Sequence, residues 1–265
     1  LGVPGATWLG QAYWWRTAYV LVAVIGLATV ALIAYAVPHL PADPTRTVRS
    51  ELSALTSVQV WLTLGVGAVG FGGIFAMYSY IATTVTDVTG LPASAVPLFL
   101  LVFGVSGFIG NIVAGRMGDW SVIRSIVIGL AGIGVALGVF AAVASYAVAA
   151  LVVLALISVL ASVLVINLQL RLMQVAGSAQ TLAAASNHAA LNLANALGAW
   201  LGGLVIAAGF GYRAPSVVGV GLAALGLVIL GISLLIHRRD HPGRVSIRPG
   251  GPSGRDASSS VAQVS

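Results

Sequence analysis

His188, Asn192 and Asn195 fall at i, i+4 and i+7 inside an otherwise apolar run from Leu182 to Ala208. On a helix this spacing sets the three on one stripe, with Asn187 about 100° away. An imidazole and two carboxamides in a row donate and accept hydrogen bonds, and the imidazole also takes up a proton near neutral pH. In hydrocarbon such groups need a partner, either a passing polar solute or a neighbouring helix. The stripe therefore reads as a solute path or as an interhelical clamp, and His188 as a proton relay or as a neutral packing ring.

Asn167 and Tyr78 are two further candidates for lining such a path. Asn167 and Gln169 end one apolar run before Arg171, and Tyr78 and Tyr80 end another before Asp87. Both pairs also suit the boundary between lipid and water, where amphipathic side chains keep their polar ends wet.

Other chemistries fail on inventory. The chain has no Cys and no Lys, which removes disulfides, thiolate metal sites, cysteine nucleophiles and Schiff bases. Its six acidic residues are scattered, with none inside a complete apolar run. An embedded enzyme would need them clustered with His or Ser, so no catalytic residue, metal site or cofactor is expected. His237 and His241 are too few for a metal site on their own. Gly65 to Gly70, "GVGAVG", satisfies the G-x-G-x-x-G spacing, but without a preceding strand it reads as helix packing. The GxxxG spacings Gly134–Gly138 and Gly198–Gly202 allow close helix approach.

The elements that must hold these residues follow from composition. Of 265 residues, 59% are hydrophobic and only 7% charged, against roughly 25% charged in a soluble domain. Such a chain cannot cover a water-facing surface, but in a bilayer its backbone satisfies itself within helices. The expectation is an all-α, polytopic membrane helix bundle. Crossing takes about 20 apolar residues, and seven runs qualify: Ala18–Val37, Val58–Ile81, Val96–Ala114, Ser125–Val143, Ala147–Ile166, Leu182–Ala208 and Val217–Ile236.

All twelve basic residues are Arg, and they lie between and after these runs. A net charge of +6 therefore points to lipid headgroups and not to nucleic acid. Alternate connections, with the tail, hold Arg46, Arg49, Arg116, Arg124, Arg171, Arg238, Arg239, Arg244, Arg248 and Arg255, and the opposite side holds only Arg16 and Arg213. Positive charge stays in the cytoplasm, which places the carboxyl terminus there. The tail after Ile236 mixes Arg with Pro, Gly and Ser without periodicity and reads as disordered.

The opening decapeptide "LGVPGATWLG" returns later as "LGAWLGG", Leu197 to Gly203. Trp15-Arg16 likewise matches Tyr212-Arg213, and each is followed by a final run. Ten helical residues rise about 15 Å, half of a bilayer core, so the opening segment reads as the end of a longer span. An internal repeat of six-span halves follows. Residues 1–37 would end a first half, 38–57 form a cytoplasmic central loop, 58–236 form a complete second half, and 237–265 a cytoplasmic tail. Four and a half spans would then lie upstream.

Three stretches resemble the major facilitator superfamily, in the drug and sugar efflux branch with its arabinose efflux permeases and chloramphenicol exporters. "LGVPGATWLGQAYWWR" is similar to the end of that branch's fifth helix, an antiporter motif of which Gly2, Pro4, Gly5 and Gly10 are present. "GNIVAGRMGDW" is similar to the loop between helices eight and nine, matching at Gly110, Gly115, Arg116, Gly118 and Asp119, with Trp120-Ser121 where a basic run is usual. "SNHAALNLANALGAWLGG" is similar to the eleventh helix. The resemblance implies a cell-membrane permease, monomeric when full length, that exports a small-molecule substrate in exchange for protons. It also implies that Arg116 and Asp119 act as a latch between conformations. A channel and a non-transporting scaffold are the alternatives that composition leaves open.

Overall fold

The computed structural model describes residues 15–36, 56–177 and 179–240. The antiporter motif at Gly2, Pro4, Gly5 and Gly10, most of the central loop and the tail from residue 241 lie outside the described residues. Seven helices cover nearly all of the rest. These are α1 (Trp15–Ala36), α2 (Val58–Val88, with interruptions), α3 (96–120), α4 (122–143), α5 (Ala147–Ala176), α6 (Gln180–Ala207) and α7 (Ala214–Asp240).

The stretch between the third and fourth apolar runs differs from expectation. Residues 115–124, anticipated as a loop, continue the helix to Trp120, and the backbone then breaks at Ser121 alone (φ −171°, ψ 112°). Without that break, 48 residues would extend for about 72 Å, more than twice the hydrocarbon thickness. Contacts with α5 show that the chain reverses there. Ser158 and Ser162 reach Phe103 and Gly107, and Asn167 reaches Ala114, so α3 runs parallel to α5. On the other side Gly129 abuts Leu164 and Gly132 abuts Leu160, so α4 runs antiparallel.

Local chemistry explains how one residue suffices for the turn. Ser121 is a helix-capping residue type, and its Oγ faces the Arg124 N–H at 3.4 Å. Buried Ser125 carries its Oγ 2.7 Å from both Met117 O and Ser121 O. The single Ser125 hydroxyl proton can thus meet either of these carbonyls at the break from within the turn.

Helix α2 is interrupted by π turns at Val66–Gly70 and Thr84–Val88 and by a break at residues 79–80. Such irregularity survives in a membrane only where other groups meet the freed backbone. Beyond the break Tyr80 O accepts both the Thr84 N–H and the Thr84 hydroxyl, each at 2.9 Å. The glycines of α2 meet glycines elsewhere: a methyl group on Gly219 of α7 would lie 2.6 Å from Gly73 O and 2.7 Å from Leu137 Cδ1. One on Gly226 would lie 2.8 Å from Gly70 Cα, and one on Gly198 of α6 would collide with Gly72 O. The "GVGAVG" stretch is therefore helix packing, as its apolar setting implied.

The core lies between α2, α3, α4 and α5, where Phe99, Ile126, Leu130, Ile133, Leu137, Phe140, Leu154, Ile157, Leu164 and Leu168 are fully buried. All of the described side chains of helix α1 are exposed. Gly219→Leu is expected to destabilise the chain by about 1–3 kcal/mol through overpacking. Gly221→Ala, with nothing within 4 Å of the added carbon, should not lower stability. Thermal unfolding in detergent, followed by size exclusion, compares the two.

Candidate functional site

Helix α6 divides its polar side chains between two faces. Asn187 is buried, and its Nδ2 donates to Gln169 Oε1 of α5 at 2.7 Å. His188, Asn192 and Asn195 are all exposed, on the side that this unit leaves uncovered. The 100° offset read from the sequence thus separates a clamp, Asn187, from an open polar stripe. On the other flank of α6, away from the stripe, runs a groove of about 340 Å³ between α2 and α6, lined by Trp61, Leu64 and Ala68 and by Ser186, Ala190 and Leu193.

The other two path candidates sit elsewhere. Asn167 is fully buried in the seam between α3 and α5, where its Nδ2 donates to Val163 O at 2.9 Å and Ala114 O at 3.3 Å. It joins a row of α5 side chains that bond α3 carbonyls: Ser158 Oγ donates to Phe103 O at 2.5 Å and Ser162 Oγ to Gly107 O at 3.0 Å. Tyr78 is half-buried, its ring 4.6 Å from that of Phe103 and tilted by 36°. Tyr80, grouped with it in the sequence, instead donates its hydroxyl to Ala199 O of α6 at 2.8 Å, over Gly202 and Gly203.

A second cavity, of about 270 Å³, opens between α2, α3 and α5. Phe71, Phe103, Gly107, Asn111, Ser158 and Ser162 line it. Sequence reasoning passed over these residues, because single Ser and Phe positions in apolar runs carry no periodic signal. The recognisable sign was the Ser158–Ser162 spacing, one helical turn on α5.

The motif shared by α3 and its turn is helical and not a loop. Gly110 is buried, and a methyl group there would lie 2.8 Å from Val159 Cα. Gly118 sits against Asn167 Oδ1, and Gly115 faces open space. Arg116 and Asp119 project from the last turns of α3, both exposed, and the structure records no ion pair between them. Arg124 lies over the Trp120 ring, 5.2 Å from its centroid, a cation–π contact across the turn.

Arg171, one turn beyond Asn167 on α5, was not singled out from the sequence. It is only 7% exposed, and among the described residues its Nη2 has no hydrogen-bond partner, nor has Asn167 Oδ1. The signal was present in the spacing, since four residues put Arg171 on the buried face of Asn167.

Asn187→Leu is expected to cost about 1 kcal/mol of bundle stability, the scale of an interhelical hydrogen bond in lipid. Asn192→Leu and Asn195→Leu should leave stability unchanged. Unfolding of the three variants in one detergent decides whether the clamp and the stripe are distinct.

Residues 1–190 match the model of the Major Facilitator Superfamily. Over 232 residues the chain is 32% identical to the inner membrane transport protein YdhP of Escherichia coli K12, covering 88% of this chain and 60% of that protein. It is 32% identical over 245 residues to the MFS-type transporter YtbD of Bacillus subtilis, covering 90% and 61%. It is 30% identical over 203 residues to a chloramphenicol resistance protein of Streptomyces lividans, covering 74% and 51%. The chain thus spans less than two thirds of the length of each. With apolar helices joined along Ser, Asn and Gly seams, and with the family match running from its first residue into α6, the chain belongs to the major facilitator superfamily of membrane transporters.

Proposed function

We propose that this chain takes part in proton-coupled export of a small organic solute, with the stripe His188, Asn192 and Asn195 facing the solute path. The observation that carries the reading is that these three polar side chains remain exposed on an apolar helix, while their neighbour Asn187 is bonded inside. Polar groups left open at bilayer depth belong to a path or an interface. His188 is the ionisable member of the stripe and the group that could exchange a proton. The similarity to a chloramphenicol resistance protein of Streptomyces lividans supports export of a drug-like solute.

Within this reading α2–α7 act as one six-helix half, and α1, which buries no side chain against them, belongs to the other half. Arg116 and Asp119 at the end of α3 form the contact that changes when the halves rock. The ten-to-two distribution of Arg supports a cytoplasmic side for that end and for the carboxyl terminus. The working unit is a monomer.

Inside-out vesicles carrying the chain, energised to build a proton gradient, should accumulate labelled chloramphenicol, and a protonophore should abolish the accumulation. Accumulation that persists after the gradient collapses would remove proton coupling. Flux no greater than in empty vesicles, for chloramphenicol and for a panel of neutral and charged solutes, would remove the assignment of transport to this chain.

A further inference from the structure

The cavity between α2, α3 and α5 has a one-sided hydrogen-bonding character. Ser158 and Ser162 each own a single hydroxyl proton, and each gives it to a backbone carbonyl of α3, Phe103 O and Gly107 O respectively. Toward the cavity these two oxygens therefore offer lone pairs only. Asn111, exposed at the edge, adds one carboxamide that both donates and accepts. The remaining lining is apolar and partly flat: the Phe71 and Phe103 rings, with Gly104 and Gly107 between them.

No ionisable side chain is among the residues that line this cavity. An ion entering it would lose water and meet no counter-charge, a penalty of several kcal/mol in a low-dielectric site. A neutral solute carrying its own O–H or N–H donors loses little, because the waiting Ser oxygens accept them. A planar or ring face then lies on the Phe side chains, as in most small-molecule sites, where apolar walls surround a few directed polar groups.

We infer that this cavity binds an uncharged, ring-bearing solute through hydroxyl or amide donors presented to Ser158 and Ser162. The inference rests on the transporter reading and adds to it the chemical class of the solute. A cavity of about 270 Å³ holds a solute of one or two rings. At Ser158 and Ser162 the donors must come from the solute, because both hydroxyl protons are already given to α3 carbonyls.

The absence of Cys from the chain makes a binding assay direct. The full chain carrying Asn111→Cys, reconstituted in phosphatidylcholine vesicles, is labelled with N-ethylmaleimide in the presence of four probes. These are 4-nitrophenyl glucoside (neutral, with donors), its fully O-methylated form (neutral, without donors), 4-nitrophenyl phosphate (anionic) and 4-nitrobenzyl trimethylammonium (cationic). Val165→Cys is a second reporter on the cavity wall, and Gly115→Cys, open on α3, is the control. The glucoside should slow labelling at both cavity positions by roughly tenfold near saturation, as simple occupancy requires, with no effect at the control. The other three probes should leave all rates unchanged. Equal protection by the methylated or a charged probe would overturn the inference, as would protection by none. Vesicle flux is read separately, so transport can survive while the solute class fails.

Discussion

An apolar side chain inside hydrocarbon gains nothing by exchanging a lipid tail for another apolar side chain, so these helices must be joined by closeness and by hydrogen bonds. The bundle depends on that constraint throughout. Where α2 crosses α6 and α7, the joining is backbone against backbone: Gly72 on Gly198, Gly73 on Gly219, Gly70 on Gly226. Where α5 runs beside α3 there is room for small side chains, and Ser158, Ser162 and Asn167 bridge it with bonds to backbone carbonyls. A clamp between Gln59 and Ser233, with bonds of 2.7 and 3.0 Å, ties α2 to α7 in the same manner. The irregular course of α2 is tolerated because it is enclosed by these contacts on several sides.

The polar side chains of the bundle sort into three kinds by what they touch. The seam residues give their protons to other helices. The stripe on α6 is exposed and uncommitted. Arg171 Nη2 and the Asn167 carbonyl form the third kind, buried yet lacking a partner among the described residues. Arg171 lies on α5 level with the turn at Ser121, since Gly118 touches Asn167 and Leu170 at the end of α3. The one charged side chain buried among the described residues therefore sits beneath the tightest connection in the fold.

Much of this architecture was legible in the residues themselves. Seven apolar runs yield seven helices, and the helical period assigned Asn187 and the His188–Asn195 stripe to different faces. What failed was the meaning of polar letters at helix ends. Arg116, Asp119, Trp120 and Arg124 looked like a loop of ten residues, yet the backbone stays helical until Ser121, because a membrane boundary wets long side chains without requiring the helix to end. Asn167 and Tyr80 looked like boundary residues for the same reason. Their partners, Ala114 and Ala199, lie 53 and 119 residues away, and no local pattern announces a contact at that distance. The π turns of α2, VGAVG and TVTDV, carry a richness in poor helix formers as their sign, which alone does not single out a π turn.

The connection between α3 and α4 is a single extended residue. Two crossings of the bilayer are thereby joined with no slack, and neither can slide along its axis or tilt without carrying the other. An epitope spliced into this point would have to force apart a capped turn. A protease approaching from that side finds no unwound stretch to thread into its cleft. The pair is mechanically one part, a hairpin that enters and leaves the membrane as a stiff unit.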